Sequence, residues 1–159
     1  MAFPVIAETS VQPDWIDYNG HMRDGYYVIA FSAAIDDLMD EIGLDEAYRT
    51  RTGCTLYTLE IHLYYLAEVK SGEALTIRMR VLGLDEKRLH ALFLMERADG
   101  TIVSTQDTML MHVDQAAGPG AAPFPAEANA KLTPLYQTHQ SLPPEKFISR
   151  AMGLKRKSS

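Results

Sequence analysis

The sequence predicts an α+β domain in which one long amphipathic helix is enclosed by a curved antiparallel sheet. Two observations carry this reading. A helix-period apolar stripe runs from about Arg23 to Ile42, and four segments with strand-like alternation follow it between Thr55 and Val113. A helix with so wide an apolar face, set just ahead of a run of strands, needs a sheet to cover it.

The elements follow in chain order. Phe3 to Val11 is a short apolar run broken by Pro4 and closed by Glu8, Thr9 and Ser10, a first strand running into a loop at Gln12-Pro13. Between Pro13 and Gly20 the residues are too polar and turn-prone for a strand. In the helix, Tyr27, Phe31, Ala34, Leu38 and Ile42 share one side, while Ser32, Asp36, Asp37, Asp40 and Glu41 share the other. Gly43 suits the left-handed position that ends a helix. Asp45 to Arg51 forms a further helical turn. From Thr55 to Tyr65 an apolar row of Tyr57, Leu59, Ile61, Leu63 and Tyr65 alternates with Thr58, Glu60, His62 and Tyr64. A second strand carries Leu75, Ile77, Met79 and Val81, a third spans Leu89 to Arg97, and Asp99-Gly100 turns the chain into a fourth, Thr101 to Val113. The expected order is strand, helix, then four strands in a meander. Ala126 to Leu135 is a short helix and Lys155-Arg156-Lys157 a basic end.

At 159 residues and 47% hydrophobic, the chain can bury one core without disulfides or metals. The expected organisation is a domain over residues 1–115 and a C-terminal extension over 116–159 packed on it. A net charge of −6 and a pI near 5.3 give no overall positive field for nucleic acid or an anionic membrane. Cys54 is the only cysteine, so no internal disulfide or multi-cysteine metal site can form, as suits a reducing cytoplasm. With neither a signal-peptide pattern nor a long apolar run, a soluble cytoplasmic protein is expected. A Gly-x-Ser-x-Gly elbow, a phosphate-binding glycine loop and zinc-ligand spacing are all lacking.

The chemistry-bearing residues lie just ahead of the helix, in Asp14-Trp15-Ile16-Asp17-Tyr18-Asn19-Gly20-His21-Met22-Arg23-Asp24-Gly25-Tyr26-Tyr27. A carboxylate there can attack a carbonyl carbon or act as general base on water. Unpaired backbone N–H groups across Met22, Arg23, Asp24 and Gly25 can receive a developing oxyanion at the positive end of the helix dipole. Gly25 lets a substrate approach the backbone. His21 and Asn19 are placed to orient Asp17 or the water. The plainer alternative is that Asp14, Asp17 or Asp24 caps the helix.

This segment resembles the active-site segment of the 4-hydroxybenzoyl-CoA thioesterase-like hotdog family, over residues 3 to 114. The resemblance implies that Asp17 is the catalytic aspartate, that Gly20-His21 turns the chain into the helix and that Tyr27 is the aromatic at its start. Arg23-Asp24 departs from the two asparagines many relatives carry. Glu60 is the reserve catalytic group, since some hotdog thioesterases use a carboxylate from the strand region. Alternatively, Glu60 and His62 form cross-strand ion pairs with Arg78 and Arg80. The family's sites lie between subunits, which implies a homo-oligomer, an acyl-CoA substrate and no cofactor or metal. Lys70, Lys87, Arg88 and the basic end are candidates to meet the coenzyme phosphates.

Trp15, Tyr18, Tyr26 and Tyr27, with Tyr57, Tyr64 and Tyr65 on the following strand, put aromatic faces near carboxylates. Such faces attract a quaternary ammonium group without needing hydrogen bonds from it, though rings also pack cores. Together with Tyr57-Thr58-Leu59-Glu60-Ile61-His62, the motif is similar to the thioesterases of bacterial carnitine degradation, which implies betainyl-CoA as substrate. A hotdog dehydratase or hydratase, and a non-catalytic acyl-CoA-binding protein, are the competing readings.

Overall fold

A computed structural model of the chain describes residues 3–144, 146–148 and 152. Strand β1 (Val5–Ser10) leads through a single 3-10 turn (Pro13–Trp15) to helix α1 (Asp24–Glu41). Next come α2 (Glu46–Thr52), β2 (Cys54–Tyr65), β3 (Ala74–Leu84), β4 (Arg88–Arg97), β5 (Ile102–Asp114), the two-residue β6 (Gly120–Ala121) and α3 (Ala126–Gln140). The sheet order is β1-β3-β4-β5-β2, antiparallel throughout, with β6 beside the end of β5. This is the expected α+β hotdog arrangement.

The predicted stripe of α1 is buried. Tyr27, Ala30, Phe31, Ala34, Ile35 and Leu38 join Ile77, Met79, Phe93 and Met95 of the sheet in one core. The Phe31 and Phe93 rings lie 6.4 Å apart, and neither is exposed to solvent. Helix α1 ends where the sequence places its stop: Gly43 adopts φ 80°, and a Cβ there would meet the Glu127 carboxylate at 2.7 Å. The positive φ is what favours glycine at that point, since the Glu127 carboxylate is the end of a flexible, exposed side chain that can move aside.

The four-strand meander is not what forms. Only β3, β4 and β5 run in that way, while β2 pairs along its whole length with β5, from Cys54 opposite Asp114 to Tyr65 opposite Ser104. The cause lies in the segment after β2. Leu66 and Ala67 donate to the Val103 carbonyl, Val69 sinks fully into the core, and the Val69 carbonyl accepts from Met22. That path carries the chain across to the far side of the sheet, where β3 pairs with β1 and β4.

The expected ion pairs between Glu60, His62, Arg78 and Arg80 are consequently absent, because β2 and β3 are not neighbours. Glu60 bonds His62 at 2.7 Å and Arg78 bonds Glu96 at 3.0 Å. A register shift between Thr58 and Glu60 also breaks the simple alternation of β2. Leu59, Ile61 and Tyr65 of its apolar row remain 50%, 39% and 53% exposed on an edge strand.

Helix α3 runs beyond Leu135 to Gln140 despite Pro134. Its far end is fastened to the sheet, which explains the extension. The Arg80 guanidinium donates to the carbonyls of His139, Leu142 and Pro143, and the Val81 N–H donates to His139 Nδ1 at 2.9 Å. One of these carbonyls, that of His139, lies in the last turn of α3 and the other two lie just beyond its end, so a charged donor satisfies backbone groups that a helix end leaves without partners. The Lys155-Arg156-Lys157 end lies outside the described residues. No helix among them is long and apolar enough to cross a membrane.

Replacing Phe31 with alanine should cost about 3–5 kcal/mol, because the ring is fully buried between helix and sheet. Urea unfolding of the variant beside the parent protein measures the loss. A change under about 1 kcal/mol would contradict this packing.

Candidate active site

The loop ahead of α1 is built almost entirely from main-chain bonds. Pro13 opens the 3-10 turn, where a missing N–H costs nothing. Ile16 then bridges Met22 in antiparallel fashion. The Asp17 N–H donates to the His21 carbonyl at 2.9 Å, and Gly20 N–H donates back to the Asp17 carbonyl at 3.0 Å, with Gly20 at φ 81°. Met22 N–H reaches Val69 and Arg23 N–H reaches Trp15, at 2.8 and 2.9 Å. Arg23 is thus the N-cap of α1 in extended conformation and makes no side-chain cap bond, while the Asp24 carboxylate at the first helical position accepts from the Gly25 N–H at 2.9 Å.

Asp17 is not a helix cap. Its Oδ1 accepts from the Asn19 N–H at 2.8 Å and the His21 N–H at 3.4 Å, an Asx turn that aims the half-buried carboxylate within the loop. Partial desolvation pushes its pKa up, but the Asn19 and His21 donors outweigh this and hold it below the ordinary 3.8. Asn19 and His21 therefore both touch Asp17 through their backbones. The His21 ring turns the other way and meets Glu68 at 3.0 Å.

Beside the loop opens a cleft of about 320 Å³, lined by His21, Asp24 and Tyr27 on one side and by Tyr65, Ala67 and Glu68 on the other. The Tyr27 and Tyr65 rings stand perpendicular with centroids 5.2 Å apart, and the Tyr65 hydroxyl donates to the Asp24 carbonyl at 3.0 Å. Burial raises the Tyr27 pKa first, and Tyr65, Glu68 and Glu73 push it further in the same direction. Trp15 stacks on Tyr26 at 5.5 Å behind the loop. Met22 contributes to the cleft and to the core.

The start of α1 offers fewer free donors than the sequence suggests. Met22 and Arg23 spend theirs in the loop, and Gly25 N–H is held by Asp24 Oδ1 at 2.9 Å. The Asp24 N–H, at the first position of the helix, has no acceptor among the described residues. Nothing stands within 4 Å of where a Gly25 side chain would be, so the backbone there is open to a ligand.

The profile of the thioesterase-like superfamily matches residues 11–132, loop, helix and sheet together. The chain belongs to that superfamily. It is a thioester hydrolase. A betainyl-CoA thioesterase of Pseudomonas aeruginosa is 44% identical over 150 residues, 92% of each chain. The L-carnitine dehydrogenase/betainyl-CoA thioesterase of Rhizobium meliloti is 38% identical over 152 residues, 95% of this chain and 30% of that one. Among solved structures, the hypothetical protein SAV2348 from Staphylococcus aureus, in complex with CoA, superposes with TM-score 0.86 at 27% identity and 98% coverage of both chains. A candidate thioesterase from Pseudomonas putida KT2440 superposes with TM-score 0.82 at 35% identity, covering 98% of this chain and 99% of that one.

Not every residue singled out in the sequence of this thioesterase reaches the cleft. Tyr57 accepts from Gln115 at 2.7 Å and sits opposite Met111, whereas Tyr65 sits opposite Ser104, about 23 Å away along β5. Arg88 is also level with Met111 and is tied to Asp85, whose pKa it helps hold down to about 2. Lys87 adjoins it in the same turn. Glu60 is about 16 Å along β2 from Tyr65 and engaged with His62. Tyr18 is 96% exposed and lines nothing within the chain. Conversely, Glu68 went unnoticed in the sequence and Tyr65 was one aromatic among several. Both join the site through the segment after β2, whose course depends on the Met22 to Val69 bond.

The Asp17 carboxyl should titrate below 3.8 in a carbon-13 NMR pH series. A folded-state pKa held down means the group stays ionised as the pH falls toward that value. Its contribution to stability is present above 3.8 and lost as the pH drops through the folded value. An Asp17 midpoint above 3.8 would contradict the loop geometry.

Proposed function

We propose that this thioesterase hydrolyses a small acyl-CoA, betainyl-CoA foremost, with Asp17 as its catalytic carboxylate. The single observation that carries the mechanism is the Asp17 carboxylate, ionised and oriented by two backbone donors, one residue link from the cleft through His21. The substrate follows from the two relatives named for betainyl-CoA.

Two routes are open to this carboxylate. As nucleophile, an Asp17 oxygen adds to the thioester carbonyl, collapse breaks the C–S bond, and the coenzyme A thiolate departs and takes a proton from solvent. Water then cleaves the acyl-aspartyl anhydride and restores the carboxylate. As general base, Asp17 takes a proton from the water that attacks the same carbon, the tetrahedral intermediate breaks its C–S bond, and the departing coenzyme A thiolate receives that proton, which restores the carboxylate. In both routes the oxyanion can be met by the Asp24 N–H and the positive end of α1. No cofactor enters the chemistry, and the setting is the cytoplasm. The described part of the extension, residues 116–144, belongs to the same folding unit as the sheet, held by α3 and Arg80.

A second copy of the chain completes the assembly. The exposed Leu59, Ile61 and Tyr65 lie on β2, which has no further strand beside it among the described residues, and such an edge is usually covered. Tyr65 is shared by that edge and the cleft, so pairing there places the site at the subunit boundary.

Asp17→Asn should lower turnover of the preferred acyl-CoA at least about a hundredfold, read by free-thiol release, while the variant still unfolds cooperatively with a somewhat lower midpoint. Full turnover in the folded variant would overturn the mechanism, and an acyl-CoA panel lacking any betainyl-CoA hydrolysis would overturn the substrate. A single turnover in oxygen-18 water separates the routes. Label appears in the Asp17 carboxylate only if an anhydride forms.

A further inference from the structure

We infer that the corner made by Tyr27 and Tyr65, with Glu68 and Asp24 at its rim, is the binding pocket for a quaternary ammonium group on the acyl chain. This rests on the thioesterase reading and says where its substrate would be recognised. A trimethylammonium has a full charge but no proton to donate, so it is recognised by aromatic faces, apolar contact and carboxylates nearby rather than by directed hydrogen bonds. The cleft supplies all three. Two perpendicular tyrosine rings line it, Met22, Leu66 and Ala67 add apolar surface, and Asp24 and Glu68 are acidic.

The position also fits the chemistry. In a trimethylglycyl thioester the nitrogen stands only about 2.5 Å from the carbonyl carbon, since one methylene separates them. The ammonium pocket must therefore adjoin the group that attacks the carbonyl. Asp17 does not itself line the cleft, and His21 is the link between them: its N–H contacts the Asp17 carboxylate at 3.4 Å, while its ring bonds Glu68 of the cleft at 3.0 Å. The raised Tyr27 pKa has its source in burial and in negative neighbours, and the same field attracts a cation. Tyr65 is held in place by its bond to the Asp24 carbonyl, which fixes the ring beside the helix start.

The test compares betainyl-CoA with 3,3-dimethylbutanoyl-CoA, which has the same shape with carbon in place of the charged nitrogen. The ratio of their kcat/KM values isolates recognition of charge from everything else the site does. Tyr65→Leu and Glu68→Gln should each lower that ratio about tenfold, whereas Tyr65→Phe, which keeps the ring, should hold it near the parent value. Both altered side chains are largely exposed, which protects the fold. If the parent enzyme prefers betainyl-CoA and neither Tyr65→Leu nor Glu68→Gln changes the ratio, the pocket is wrong while the substrate stands. If the parent shows no preference, the substrate is wrong, and tetramethylammonium binding to the intact protein, read by saturation-transfer NMR, decides the pocket. Binding weakened by Tyr65→Leu supports it; the absence of binding, or binding insensitive to that change, overturns it.

Discussion

The burial of α1 against the sheet is the interaction on which the rest depends. Phe31, Ala34 and Leu38 are almost wholly inaccessible, and covering a face that broad requires a sheet curved around it. Once α1 is seated, its first turn has a fixed position relative to β2 and to the segment after β2. The bonds from Met22 to Val69 and from Tyr65 to the Asp24 carbonyl can then form, and they bring together residues more than forty positions apart. The cleft is the gap left between those two pieces of chain.

Much of this was legible from local pattern. The stripe of α1, its stop at Gly43, the α2 turn and the Asp99-Gly100 hairpin all follow from rules acting within a few residues, and each appears where expected. Asp17 was singled out through the resemblance of its segment to a known family, and the Asx turn that orients it could not be read from the sequence. What was not legible is what depends on the third dimension. A strand's partner cannot be read from its own alternation, so β2 looked like the first strand of a meander although it pairs with β5. From that error came the misplaced partners of Glu60, His62, Arg78 and Arg80. Tyr57 and Tyr65 have the same side-chain chemistry in sequence, but only Tyr65 stands at the helix start.

Helix α3 shows a different limit. Its proline and weak patterning argue for an early stop, and the helix continues because Arg80 and His139 make sheet contacts that no local rule contains. Tertiary bonds to the last carbonyls outweigh the unfavourable proline. The extension and the sheet thus share buried polar groups as well as apolar surface.

The loop that carries Asp17 is held by amide and carbonyl groups, which every amino acid except proline supplies in full. Side chains at positions such as Tyr18 and Arg23 are exposed and contribute little to that frame. The loop therefore separates two properties that are often entangled: where the Asp17 carboxylate sits, and what side chains surround it. Such an architecture leaves outward-facing groups free to be exchanged, with the carboxylate kept in register.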